Sequence, residues 1–143
     1  MSHTIKLGFG LYRHQLDGAH FDFARQCGAT HLVVHLCDYH DQGDAGSSQN
    51  HANQPVGDSG GWGVARGAAD PIWTYEGLDA LRAEVEAHDL TLWAVENFDP
   101  AMWSDILLDG PGKDAQMEGL QKVIRDVGRA GIPVFGYNLS LIH

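Results

Sequence analysis

Four apolar runs in this chain end on groups that can do chemistry. Ile5 to Tyr12 leads into Arg13 and His14, and His31 to Leu36 carries His35 near its end with Asp38 just beyond. Leu90 to Val95 stops at Glu96 and Asn97, and the run from Pro133 ends on Tyr137 and Asn138. A guanidinium binds and orients an anion, a carboxylate accepts hydroxyl hydrogens or a proton, and imidazole and amide groups can donate and accept. The sharpest of these stretches is Leu90-Thr-Leu-Trp-Ala-Val-Glu-Asn-Phe-Asp-Pro100, in which a strand-forming run breaks off in a carboxylate, an amide, an aromatic ring and a proline. Burying that carboxylate unpaired would cost several kcal/mol, on the order of a lost buried polar partner or more. Glu96 and Asn97 are therefore expected either at the rim of a pocket or at a solvated strand end that caps the next element.

The intervening segments must bring those ends together. Glycines at positions 8 and 10 of the first strand suit a crowded interior, and from Asp17 the apolar period becomes helical, with Phe21, Ala24 and Cys27 or Gly28 recurring. Asp17 is a candidate N-cap and Gly28 a candidate stop. His31 to Leu36, β-branched in the middle, is the second strand. Pro71 and Thr74 announce a helix with Leu78, Leu81 and Val85 on one face, and it delivers the chain to Leu90. A short helical turn over 101–108 precedes Asp109-Gly-Pro-Gly112, four turn formers. A longer helix follows, with Met117, Leu120, Ile124 and Val127 on one face, Lys113, Lys122, Arg125 and Asp126 off it, and Gly131 at its end. Pro133 to Asn138 is the fourth strand.

Between about 38 and 70 the chain is dominated by Gly, Ser, Asp, Asn and Gln. A connection this long is either functional or unstructured. As a lid over the pocket it would offer Trp62 and Arg66 to a ligand; otherwise it is an insertion that never orders. His40 and His51, among Asp38, Asp41 and Asp44, are too irregularly spaced in a polar segment to read as more than adventitious metal binders.

The order β-α-β-loop-α-β-α-α-β, with crossovers long enough for right-handed parallel connections, puts every polar strand end on the same, C-terminal, side. That is the arrangement of a TIM (β/α)8 barrel, whose active site is built from the loops after its strands. Such a barrel takes about 250 residues and eight strands. The 143 residues here supply four strands, so the chain is expected to be a single partial domain, 1–143, an N-terminal half barrel of a larger protein. A cooperatively unfolding, catalytically active monomer of 143 residues would refute that expectation.

Nineteen acidic against nine basic residues, a formal charge of −10, would repel a phosphate backbone, so nucleic acid is excluded as a partner. No apolar run reaches the roughly 20 residues that span a bilayer, and the N-terminus lacks a signal sequence, which makes cytoplasmic the default location with no membrane partner. Cys27 and Cys37 lack CxxC spacing and read as free thiols. Trp73, Trp93 and Trp103 read as packing residues.

Several blocks, in order and spacing, resemble one family. Lys6-Leu-Gly-Phe-Gly-Leu-Tyr-Arg13, Gly28-Ala-Thr-His-Leu-Val-Val-His35, Trp73-Thr-Tyr-Glu-Gly-Leu78, Leu90-Thr-Leu-Trp-Ala-Val-Glu-Asn97 and Gly131-Ile-Pro-Val-Phe-Gly-Tyr-Asn138 together look like the N-terminal part of mannonate dehydratase. The resemblance implies a TIM-barrel lyase of hexuronate catabolism that removes water from D-mannonate to give 2-dehydro-3-deoxy-D-gluconate. It implies a divalent metal, Mn2+ or Fe2+, whose ligands and principal acid/base groups belong to the C-terminal half, so no metal is expected to be held by this chain. It further implies a homo-oligomer when full length. On this reading Arg13, His35, Glu96 and Asn138 orient the sugar acid, Arg13 as a charge-assisted donor and the others as hydrogen-bonding partners. Plainer roles stand beside these: His35 as a core histidine, Asn138 as a helix cap, Arg13 paired with Asp17. The rival readings are another sugar isomerase or epimerase of the xylose-isomerase-like barrels, and an inactive fragment that associates through its open strand edges.

Overall fold

A computed structural model describes residues 5–37, 70–98 and 102–137. Its elements follow the expected order: β1 (Gly8–Tyr12), α1 (Gly18–Gln26), β2 (His31–His35), α2 (Tyr75–Ala87), β3 (Thr91–Glu96), α3 (Ser104–Leu108), α4 (Lys113–Arg129) and β4 (Val134–Gly136), with 3-10 turns at Arg13–Gln15 and Pro71–Trp73. The strands form one sheet in the order β1-β2-β3-β4, every pair parallel. Each crossover therefore adds its strand next to the previous one, which is how half of a (β/α)8 barrel is wound. No helix among the described residues is long and apolar enough to cross a membrane.

Local signals set the boundaries. The Asp17 carboxylate accepts the His20 N–H at 3.1 Å and starts α1. Thr74 caps α2 by accepting from Gly77 N–H, and Asp70 caps the preceding turn by accepting from Ile72 N–H. Gly28 and Gly131, after α1 and α4, take the left-handed conformation at φ 87° and 76°, where a side chain would be strained.

The apolar core lies between the sheet and the helices. Leu11, Leu32, Val34 and Val95 project from the strands onto Phe21, Ala24, Leu78, Leu81, Val85, Leu120, Val123 and Val127 of the helices. Trp73 and Trp103 are buried in it, and Phe98 and Phe135 stack at 4.3 Å beside Trp73. Trp93 instead lies on the other face of the sheet side, with the Lys6 ammonium 3.0 Å from its ring centroid and His31 edge-on to it.

The buried face of α4 and the surroundings of the β1 glycines differ from what the sequence leads one to expect. On α4 the buried positions are Leu120, Val123, Asp126 and Val127, whereas Met117 and Ile124 are exposed. The inward stripe is rotated because Asp126 can be buried with its charge matched: Lys122 and Arg129 both donate to it, and the Lys122 hydrogen bond foremost holds its carboxyl below the usual carboxylate range. At Gly8 and Gly10 the interior is open rather than crowded, since no described atom lies within 4 Å of where a Cβ would stand.

Crowding governs a different glycine. A Cβ on Gly77 would stand 2.2 Å from the Pro71 carbonyl oxygen and 2.8 Å from the Ile72 Cα, so the Pro71–Trp73 turn packs directly on α2 there. A Cβ on Gly119, inside α4, would meet nothing within 4 Å. Gly77→Ala is expected to destabilise the protein by about 1–3 kcal/mol through overpacking. Gly119→Ala is expected to stabilise it by up to about 1 kcal/mol through helix propensity. Urea unfolding of the two variants checks both signs.

Candidate functional site at the C-terminal strand ends

The last residues of the strands stand in one row. Tyr12 pairs with His35, His35 with Glu96, and Glu96 with Gly136. Residues paired across a parallel ladder point to the same face, so Tyr12, His35 and Glu96 project together. The row depends on an irregularity between β2 and β3. Leu32 pairs with Leu92, but Val33 pairs with Ala94, and the pairing skips Trp93. This bulge is what sets Glu96, rather than Val95, opposite His35.

His35 is half-buried in the row, less exposed than Glu96. Its Nε2 lies 3.6 Å from Glu96 Oε2, and its ring stacks on that of Tyr12 at 4.7 Å with 22° between the planes. Burial pushes the imidazole below its ordinary pKa, and the Glu96 carboxylate opposes that shift only in part. A neutral imidazole beside a half-exposed carboxyl group offers hydrogen-bond donors and acceptors to a polyol. Their separation exceeds hydrogen-bond length.

Asn97 follows in the left-handed conformation at φ 67° and donates its N–H to the Gly136 carbonyl at 2.9 Å. The chain thus turns sharply just after Glu96, so β3 ends where its carboxylate is needed.

Arg13 is engaged on its own neighbours. Its Nη1 donates to the Leu36 carbonyl at 3.2 Å and to Asp70, and its Nη2 donates to Asp70 Oδ1 at 3.1 Å. Its ion-pair partner is Asp70, not the Asp17 that sequence proximity suggests, because the Asp17 carboxylate serves α1 and the His20 ring. Asp70 is 5 % exposed. The guanidinium thereby joins the end of β1 to residues 36 and 70, the two positions that flank the long polar connection.

Of the sequence-derived candidates, the structure brings His35 and Glu96 together and holds Arg13 with Asp70. Asn138, Trp62 and Arg66 lie outside the described residues, as do Asp38 and the histidines of the long connection. Tyr12 was missed. Its signal was available in the alternation Gly8, Gly10, Tyr12, which places it on the open face of β1. Cys27 is exposed and Cys37 is buried. Among the described residues no three His, Cys, Asp or Glu side chains gather as a cation site. His35 and Glu96 are two donors, so these residues do not fit a complete divalent-metal centre.

Comparison with known proteins decides the family. The model of the D-mannonate dehydratase (UxuA) family matches residues 21–142. The chain belongs to this family. Mannonate dehydratase of Lactococcus lactis subsp. lactis (strain IL1403) is 36 % identical over 70 residues, 49 % of this chain and 19 % of that protein. The enzyme of L. lactis subsp. cremoris (strain MG1363) is 33 % identical over the same extent, 70 residues. The crystal structure of mannonate dehydratase from Streptococcus suis serotype 2 superposes with a TM-score of 0.58 at 22 % identity, covering 95 % of this chain and 30 % of that one. That likeness shows the fold, a TIM-barrel type of which the four-stranded sheet is a half. The D-mannonate dehydratase relatives are thus much longer than the part matched here, about a fifth of the length of the curated ones.

Two outcomes test the site's physics. Removing one partner of a buried ion pair strands the other, at a cost of about 3–5 kcal/mol when both are fully buried. Arg13 is partly exposed, so Arg13→Ala is expected near the lower end of that range, about 3 kcal/mol, measured by urea unfolding. For His35 the folded pKa is depressed, so below about pH 6.5 the unfolded chain binds more protons than the folded one. Stability should fall as pH drops from about 7 to about 5, and the fall should be smaller in His35→Gln.

Proposed function

We propose that the protein carrying this chain dehydrates D-mannonate to 2-dehydro-3-deoxy-D-gluconate. The observation that carries this reading is the family match over residues 21–142. The row of polar strand ends supports it, because it lies where TIM barrels bind their substrates.

Loss of water next to a carboxylate begins with removal of a carbon-bound proton, and the developing charge must be held in place. We assign residues of this chain to the sugar acid rather than to that proton. Glu96 accepts from substrate hydroxyls, neutral His35 donates to or accepts from a hydroxyl beside it, and Asn138 is assigned as a further hydrogen-bonding partner of the substrate. Arg13 contributes whichever guanidinium N–H groups Asp70 and Leu36 leave available. Such fixed contacts raise the rate by holding the substrate in its reacting geometry.

A divalent Mn2+ or Fe2+ would supply Lewis-acid chemistry in the whole protein. The described residues do not furnish its ligand set. We further propose that the whole protein is a cytoplasmic homo-oligomer, and that residues 1–143 are one partial domain of its barrel.

The test is an assay of the full-length protein with D-mannonate, with and without added manganese, following 2-dehydro-3-deoxy-D-gluconate by chromatography. Product is expected with the wild type. With Glu96→Ala, kcat/KM is expected to fall at least about tenfold, the loss of one well-placed polar contact. Unaltered turnover would remove Glu96 from the substrate site, and absence of product from the wild type would overturn the reading.

A further inference from the structure

The residue beside His35 on the other side from Glu96 is Tyr12, and among the described residues its ring meets the imidazoles of His35 and His14. It stacks on His35 at 4.7 Å and 22°, and faces the ring of His14 at 6.3 Å and 15°. Adjacent parallel strands run about 4.8 Å apart, so paired rings on one face meet flat when both stand upright on the sheet. Among the described residues Tyr12 does not join the apolar core, in which Phe9 and Leu11 of the same strand take part. Its ring is therefore placed on imidazoles rather than spent on packing against the helices. Its backbone is also fixed, since the Tyr12 N–H donates to Gln15 Oε1 at 3.0 Å as the turn Arg13–Gln15 closes.

An imidazole at a strand end turns easily about its last side-chain bond, because that torsion has broad wells. A flat ring at stacking distance restricts the tilt of the imidazole plane. Glu96, across the row, lies on the side of Nε2. Tyr12 thus lies against the face of the His35 ring and Glu96 at its Nε2 edge.

We propose that Tyr12 is a positioning residue for His35: its ring fixes the plane of the His35 imidazole and so aims Nε2 toward Glu96 and the bound sugar acid. The inference rests on the function proposed above for its effect on turnover, and on geometry alone for its effect on His35.

The test compares Tyr12→Phe, which keeps the ring, with Tyr12→Leu, which keeps bulk and apolarity but no ring plane, in the full-length protein. Circular dichroism and thermal unfolding first establish that both variants are folded. Tyr12→Phe is expected to keep kcat for D-mannonate within about twofold, and Tyr12→Leu to lower it about tenfold with little change in KM, as misorientation without lost binding does. Independently of turnover, the 15N resonances of the His35 imidazole in the substrate-free protein are expected to match wild type in Tyr12→Phe and to shift in Tyr12→Leu. Wild-type kcat together with unchanged His35 resonances in Tyr12→Leu would overturn the proposal. So would a Tyr12→Phe variant as impaired as Tyr12→Leu, since the hydroxyl would then be the working group. If the wild type does not dehydrate D-mannonate, the functional reading fails, and the His35 resonances still decide the role of Tyr12. Should Tyr12→Leu not fold, Tyr12→Met is read in the same way.

Discussion

One irregularity in strand pairing decides what the C-terminal edge of the sheet presents. Side chains alternate along a strand, so a shift of one residue exchanges its two faces. Without the bulge at Trp93, Val95 would stand opposite His35 and Glu96 would point toward the helices, into the layer where Leu78 and Val85 lie. A carboxylate there would be buried among apolar groups and would cost several kcal/mol, roughly. With the bulge, Val95 is buried on the helix side and Glu96 shares a face with His35 and Tyr12. Packing and chemistry are thus satisfied by the same extra residue. The Trp93 ring does not sit idle, since Lys6 covers its face and His31 meets it edge-on.

A second constraint acts at the neighbouring connection. The long polar segment between β2 and α2 leaves the sheet after Leu36 and returns at Asp70, and Arg13 holds both points. The entropy of bringing loop ends together grows with loop length, so a connection this long gains from a fixed junction. The junction sits at the end of β1, directly after Tyr12. The residue that ties the chain together and the ring that stacks on His35 are therefore consecutive, Arg13 and Tyr12.

Much of this architecture was legible in the sequence because its signals are local. Asp17 and Thr74 as caps, Gly28 and Gly131 as stops, and the period-2 and helical runs between them reflect interactions within a few residues. The shared direction of the polar strand ends followed from the crossover lengths, and the family from the order of several blocks. What was not legible depends on distant partners. The choice of Asp70 over Asp17 for Arg13 spans 57 positions, and nothing in either neighbourhood announces it. The burial of Asp126 reads as a polar position off the apolar face until Lys122 and Arg129 are seen to converge on it. The bulge lies within a run, Leu92-Trp93-Ala94-Val95, that is apolar throughout and so carries no alternation to mark the slip. Tyr12 escaped notice because a tyrosine at the end of a strand is ordinary until the ring beside it is known to be His35.

We propose that β-sheet register makes His35 and Glu96 one functional unit at the rim of the barrel that this half-sheet belongs to. A double-mutant cycle with His35→Gln and Glu96→Gln, read as kcat/KM for D-mannonate in the full-length protein, measures it most directly. Side chains that act on the same substrate from adjacent positions couple by about 0.5–3 kcal/mol, so the double variant should lose less than the product of the single losses. Two losses that multiply independently, within about 0.3 kcal/mol, would contradict the claim.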